Sequence, residues 1–253
     1  MNPEIAAKAK EELSMKPSVG KGKERCKIVA VDGPAGSGKS SVCAMACQQL
    51  GWTYVNTGFL YRSIALICRR QNGSFQDSEL LRSIVRDFTE NLSWDPKAGK
   101  VFYLGEDLSD ALYTDQAGKD ASLIAKNPAV REELLPLQRK LSLQSPIGAI
   151  VDGRDIGTVV FPDADFKVFM TASIEERAKR RLIQLQGGPD KETDRSKLEE
   201  IKSSIEARDK QDAARGTSPL KQADDAYFFD TSDISVERAV AKLVELIKSN
   251  VTS

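Results

Sequence analysis

The chain has 253 residues, 40% apolar and 29% charged, and its 37 Lys and Arg balance 37 Asp and Glu. That length suits one large α/β domain, or a domain carrying a smaller insertion, and the neutral balance gives no basic field for nucleic acid or an anionic membrane surface. There is no histidine, so Cys43 and Cys47, on one helical face, lack a partner for a mixed zinc site; with Cys26 and Cys68 they are expected as reduced structural thiols.

Residues 1–25 are lysine-rich and polar, and are expected to form a disordered tail. They hold no apolar core of signal-peptide length, and nowhere do eighteen uninterrupted apolar residues occur, so a soluble cytoplasmic protein is expected. The first strand is Ile28–Val31. Directly after it stands Gly33-Pro34-Ala35-Gly36-Ser37-Gly38-Lys39-Ser40, a G-x-x-x-x-G-K-[ST] phosphate loop that opens a helix over Lys39–Leu50. A weaker strand signal at Thr53–Val55 precedes a helix over Phe59–Gln71. From about Leu92 to Leu112 the alternation of strand and helix breaks. Trp94, Val101, Phe102 and Tyr103 around a Pro96–Gly99 turn suggest a small β-meander, followed by two helical stretches to Leu143, with Asn127-Pro128 as an N-cap and first-turn proline.

Beyond this insertion the alternation resumes. Strands are expected at Ala149–Asp152, Phe166–Met170 and Ala226–Asp230, and helices at Ser173–Gln186, Lys197–Ala213 and Val236–Lys248. Ser173 and Glu176 have the spacing of a capping box, and Gly187-Gly188-Pro189 makes a loop tip. The implied architecture is α/β: a parallel sheet flanked by helices, with core segments 26–75 and 145–253, an inserted lobe at about 76–144 and a helical lid at about 174–215.

The phosphate loop states its own chemistry. Its glycines let backbone N–H groups wrap a polyphosphate while the following helix directs its positive end at the same anion. Lys39 would neutralise the β/γ-phosphates, and Ser40, with Ser41 the lesser alternative, would offer a hydroxyl to magnesium. Val151-Asp152-Gly153-Arg154-Asp155 lies at the carboxyl end of a strand, the edge at which open α/β sheets bind ligands. There Asp152 is placed to orient magnesium or its water, Arg154 to bind an anion and Asp155 to accept hydrogen bonds. Arg177, Arg180 and Arg181 share one side of a helix, and Arg208, Asp212 and Arg215 follow beyond the loop tip. These arginines suit a lid, because two phosphate charges brought to 4 Å repel by about 4 kcal/mol at an effective dielectric near 20, and the guanidinium fork binds phosphate bidentately.

Four islands then resemble the bacterial-type cytidylate kinases, a family of phosphate-loop nucleoside monophosphate kinases: Asp32-Gly33-Pro34 with the loop, Thr57-Gly58-Phe59-Leu60-Tyr61-Arg62, the run from Asp152 to Pro162, and Arg208 to Arg215. The resemblance implies transfer of the γ-phosphoryl of ATP, with magnesium, to CMP or dCMP; a monomer is the default expectation, and the neutral charge gives no reason to expect a nucleic-acid or membrane partner. It implies that the loop residues Gly33 to Ser41 hold the donor and that Lys39, Asp152, Arg154, Arg180 and Arg181 assist transfer. Ser122, Arg131 and Asp155 would read cytosine, Arg62 and Arg154 the acceptor phosphate, and Arg208 and Asp212 the sugar. Arg215 would stand near base or phosphate, and Thr57 and Tyr61 would line the acceptor site. The division of Arg177, Arg180 and Arg181 between donor and acceptor phosphates stays open. Two residues depart from the family pattern: Asn56 stands where an aspartate is usual, and Tyr113 where an arginine is frequent. A related small-molecule kinase, for UMP, AMP or shikimate, is the nearer rival reading. A nucleotide switch is the more distant one, suggested by Asp115-Gln116-Ala117-Gly118 but lacking any N-K-x-D segment.

Overall fold

The computed structural model describes residues 25–95, 100–186 and 195–251. The expected turn at Pro96–Gly99, the loop tip at Gly187-Gly188-Pro189 and the tail up to residue 24 lie outside the described residues. Arg25, the last residue assigned to that tail, is described, and its guanidinium donates to Asp165 Oδ1 at 2.6 Å.

Five parallel strands form the central sheet in the order β2 (Thr53–Asn56), β6 (Gly148–Gly153), β1 (Lys27–Asp32), β7 (Phe166–Thr171) and β8 (Tyr227–Asp230). β6 is buried along its whole length and β1 beyond its first residue, as expected of strands covered on both faces. The two-residue period of β1 divides the core. Ile28 and Ala30 face a cluster with Leu60, Ile64 and Leu134, while Val29 and Val31 face Val42, Cys43, Leu243 and Ile247. The second face is closed by α1 (Lys39–Leu50) packed on α9 (Val236–Val251). Cys43 and Cys47 are therefore core thiols, and burial pushes both up, Cys47 to about 12.

On the first face lie α2 (Thr57–Arg70), α3 (Ser78–Asn91), α5 (Asp115–Ile124) and α6 (Pro128–Leu143). α2 starts two residues before the expected Phe59. α3 is a helix the sequence reading left unassigned, although Asp77 caps it by accepting from Leu80 N, and Leu81, Ile84, Val85 and Phe88 mark its buried face. The meander is real but shorter than expected: β3 (Leu92–Asp95), β4 (Lys100–Tyr103) and β5 (Glu106–Asp107) pair antiparallel, and Ser109–Leu112 is a helical turn, α4. Leu81, Phe88, Val101 and Leu112 belong to the same apolar cluster as Ile28 and Val151, so the insertion shares its core with the sheet. Asn127 caps α6 through Ala129 N, with Pro128 in the first turn.

α7 (Ile174–Gln186) and α8 (Arg195–Ala213) pack on each other as a hairpin. Only half of the expected capping box forms at α7. Ser173 Oγ accepts from Glu176 N at 3.3 Å, but Ser173 N donates to Ser232 Oγ, and the Glu176 carboxylate takes the stronger, charge-assisted bond from Arg180 Nε at 3.0 Å. Among the described residues no helix is long and apolar enough to cross a membrane.

One buried carboxylate ties the sheet to the site. Asp32, at the end of β1, accepts from Ile156 N at 2.8 Å and Gly157 N at 2.7 Å, fixing the π-helical turn Ile156–Val160 that follows Asp155. Burial pushes this carboxyl up to about 6, against the two amide bonds that hold it down. Asp32→Ala leaves both amides unpaired and is expected to cost about 2–5 kcal/mol, with Asp32→Asn, which keeps one acceptor, costing less; urea-unfolding midpoints measure both.

Candidate active site

A cavity of about 710 Å³ opens at the carboxyl ends of β1, β2 and β6, between the phosphate loop, the inserted helices and the α7–α8 hairpin. Ala35 to Ser41 line it. Gly33 and Pro34 lie behind the loop instead, and their carbonyls accept from Lys39 Nζ, each at 2.8 Å. Gly33 admits no side chain, since a Cβ there would sit 1.9 Å from the Met170 carbonyl oxygen. Lys39 also donates to Ser37 Oγ at 3.1 Å. Burial lowers its ammonium to about 7, with Arg154 adding to the effect and Asp152 opposing it.

Asp152 gathers the metal-suited oxygens. Its Oδ2 accepts from Ser40 Oγ at 2.9 Å and from Tyr54 OH at 3.0 Å, and Asn56 Nδ2 donates to the same Ser40 oxygen at 3.3 Å. Burial raises the Asp152 carboxyl, and Lys39, Ser40 and Tyr54 draw it back. Thr57 borders the cavity, but its hydroxyl is committed to Asp152 O at 2.8 Å, which joins the start of α2 to β6.

Opposite the loop, Asp212 of α8 is the hub. Its carboxylate accepts from Ser122 Oγ at 2.6 Å, from Arg154 Nε at 3.1 Å and from Arg215 Nη2. Burial alone would raise this group, but Arg154, Arg215 and Arg208 hold it below the ordinary carboxylate range. Gln211 Nε2 donates to Ser122 Oγ at 2.8 Å, so that hydroxyl is oriented on both sides. Asp155 pairs with Arg131, whose guanidinium lies 5.6 Å from the centre of the Tyr61 ring. Arg62 donates to Leu112 O at 2.6 Å and lies near the Phe59 ring, against which Tyr113 stands edge-on at 5.1 Å.

The three arginines of α7 separate by their contacts. Arg177 turns away from the cavity to Ala172, Ala35 and Asp209. Arg180 bridges the loop to the segment after β8, donating to Ser37 O at 3.3 Å and Thr231 O at 2.6 Å. Arg181 lines the cavity and meets Asp115 of the inserted lobe at 3.6 Å.

The lining carries nine cationic and five anionic side chains. Burial, then crowding by Arg154, lowers Arg208 to about 9; burial, then Arg181 and Arg154, lowers Arg62 to about 10. Buried Nε atoms of Arg62, Arg208 and Arg215 find no hydrogen-bond partner among the described residues. Such a cage of like charge is costly unless anions enter it. Asp115-Gln116-Ala117-Gly118, the segment resembling a switch, is the first part of α5, and Gly118 serves Arg208: a Cβ there would lie 2.9 Å from Arg208 Nη1.

The sequence reading missed Tyr54, Asp209, Gln211 and Thr231. Tyr54 lies in an apolar strand and shows no signal of its own. Asp209 and Gln211 sit inside the charged run that holds Arg208 and Asp212, and that run could have pointed to them.

The parallel sheet, its phosphate loop and the facing arginine cage define a phosphate-loop phosphotransferase. The family model described as "Cytidylate kinase" matches residues 29–249. A protein of Bacillus cereus (strain G9842) named cytidylate kinase is 39% identical over 87% of this chain and 95% of its own length. Two others of that name are similar: 36% identity in Geobacillus sp. (strain WCH70), over 88% of this chain and 97% of the relative, and 39% in Pseudomonas entomophila (strain L48), over 85% and 93%. The chain belongs to the cytidylate kinase family and is a nucleoside monophosphate kinase.

The Lys39 environment generates a pH prediction. With its pKa near 7, the ammonium is largely deprotonated at about pH 8, and phosphates at the loop favour the charged form. Binding of ATP therefore takes up a proton, and affinity falls as pH rises through about 7 to 9. Calorimetric titration at about pH 8 in buffers of different ionisation enthalpy should show uptake approaching one proton, absent in Lys39→Met.

Proposed function

We propose that this chain transfers the γ-phosphoryl of ATP to CMP or dCMP, giving ADP and CDP or dCDP. The observation that carries the reading is the shared cavity in which the phosphate loop faces Arg62, Arg154, Arg208 and Arg215, with Arg154 and Arg215 paired to Asp212. The donor polyphosphate lies along the amides of Gly36 to Ser40 with Lys39 beside it. The acceptor phosphate enters between Arg62 and Arg154, whose side chains line the cavity. Arg180 stiffens the loop, and Arg181 shifts from Asp115 onto phosphate as the lid, about 174–215, closes on the lobe, about 76–144.

Ser122, Asp155 and Arg131 suit cytosine. The Ser122 hydroxyl donates its proton to Asp212, leaving its oxygen to accept, and Asp155 is a second acceptor for the 4-amino group. Arg131 supplies donors for the N3 and O2 acceptors. Uracil reverses the polarity at N3 and position 4, and a site built on such bonds rejects the reversed analogue by up to about 10⁴-fold. Asp212 and Arg208 take the sugar hydroxyls.

Magnesium fits the donor side. Ser40 Oγ and the Asp152 carboxylate are hard oxygens 2.9 Å apart, the kind of ligand that suits an ion carried mainly by phosphate and water. Held by Ser40 and Asp152, it would supply neutralisation of phosphate charge. The protein's part is positioning: an ionised acceptor oxygen needs no strong general base, so the arginines align two anions and the lid excludes water from the γ-phosphoryl. We place the enzyme in the cytoplasm as a monomer acting on small molecules. Its neutral formal charge supports the absence of a nucleic-acid or membrane partner.

A coupled assay of ADP release with ATP and magnesium should give strong signals with CMP and dCMP, weak ones with UMP, and none above the acceptor-free background with AMP or shikimate. Lys39→Ala should lower turnover by about a thousandfold while CMP affinity is nearly kept. Full turnover in Lys39→Ala, or preference for another acceptor, would refute the corresponding half of the proposal.

A further inference from the structure

The base of the lid grips the crest of the phosphate loop at one residue. Ala35 N donates to Asp209 Oδ1 at 2.9 Å, and Ala35 O accepts from Arg177 Nη1 at 3.0 Å. The same Arg177 nitrogen donates to Asp209 Oδ2, closing a ring of bonds through α7, α8 and the loop. Gly36 lies against that arginine, and a Cβ there would come within 3.2 Å of the Arg177 Cβ and carbonyl oxygen. Ala35, Ala178 and Ile205 bury one another just beside it. Both peptide groups of a single loop residue are thus held, one by each helix of the lid.

Asp209 also stands between two acceptor-side residues on α8. Arg208 is its neighbour, and Asp212 follows three residues later. Successive helical residues point about 100° apart, so any turn or slide of α8 that seats Arg208 and Asp212 around an acceptor carries Asp209, and with it the Ala35 amide. The next amides in the chain, from Gly36 onward, belong to the donor cradle.

We propose that Asp209 is a positioning residue that couples the two nucleotide sites: through Ala35 it sets the phosphate-loop crest according to how Arg208 and Asp212 are seated. This rests on the two-nucleotide reading above. Asp209 touches neither nucleotide, and its effect is on the reciprocal tightening of donor and acceptor. A contact serving only as structural glue would lower thermal stability and weaken both nucleotides alike. A coupling contact weakens the donor and the cooperativity while sparing the acceptor bound alone.

The test uses the full chain as wild type, Asp209→Ala and Asp209→Asn. Calorimetry gives dissociation constants for CMP and for a non-hydrolysable ATP analogue, each alone and with the other saturating, beside melting temperatures. In wild type each nucleotide should tighten the other by about five- to tenfold. In Asp209→Ala that factor should fall close to one and the analogue should bind about tenfold more weakly, while CMP alone stays within about twofold of wild type. Asp209→Asn keeps an oxygen for Ala35 N but turns an N–H toward Arg177, and should fall between. Absence of coupling in wild type, coupling retained in folded Asp209→Ala, or equal weakening of both nucleotides would each overturn the assignment. If Asp209→Ala does not fold, Asp209→Asn is read by the same criteria; failure of both to fold makes the contact a folding requirement and also overturns it. If wild type binds a different monophosphate and not CMP, the acceptor reading fails, and the coupling is judged with that monophosphate.

Discussion

Mutual repulsion among buried cations is the constraint around which this site is built. Two unit charges 4 Å apart interact by about 4 kcal/mol at an effective dielectric near 20, and Arg62, Arg154, Arg208, Arg215 and Lys39 share one cavity. The lowered pKa values of Lys39, Arg62 and Arg208 are the imprint of burial reinforced by that crowding. Three carboxylates hold the cage together. Asp212 takes Arg154 and Arg215, Asp155 takes Arg131, and Asp152 stands beside Lys39 and Ser40. In the proposed reading, phosphates entering the cage supply the remaining counter-charge and relieve a tension that the folded protein already carries.

The rest of the architecture places those charges. Asp32 fixes the π-helical turn behind Arg154 and Asp155, and Thr57 ties α2 to the backbone of Asp152. The donor loop is held from the opposite side by Arg180 and Thr231, and at its crest by Arg177 and Asp209. Arg208, Asp209 and Asp212 are thereby mounted on one helix, α8, which meets the phosphate loop at Ala35 and the arginine cage at Arg154.

The two departures from the family pattern find local roles. Asn56 is buried and gives an N–H to the Ser40 oxygen, where an aspartate would place a further negative charge beside Asp152. Tyr113 rests edge-on against Phe59 at the cavity rim, so an aromatic contact occupies a position where an arginine would add one more cation to an already crowded cage.

Much of this was legible in the sequence. The phosphate loop, its flanking strand and helix, the Asp152–Asp155 edge and the Arg208–Arg215 run are short-range patterns, and local backbone preference is enough to shape them. α3, absent from the expected elements, carries local signals of its own in Asp77 and the spacing of Leu81, Ile84, Val85 and Phe88. Other features had no sequence signal. Asp32 was read as part of the loop motif and proves to be an anchor 124 residues from its first amide partner. Gly118 was read as the end of a switch-like pattern and lies where a Cβ would come within 2.9 Å of Arg208 Nη1. By itself the sequence determined the chemistry at hand, a polyphosphate cradle and a supply of arginines, because consecutive residues set backbone N–H direction and helix polarity. Only the tertiary structure decided which carboxylate restrains which arginine and which helical residue grips the loop, because those partners lie far apart in the chain and meet only when the sheet, the inserted helices and the α7–α8 hairpin pack together.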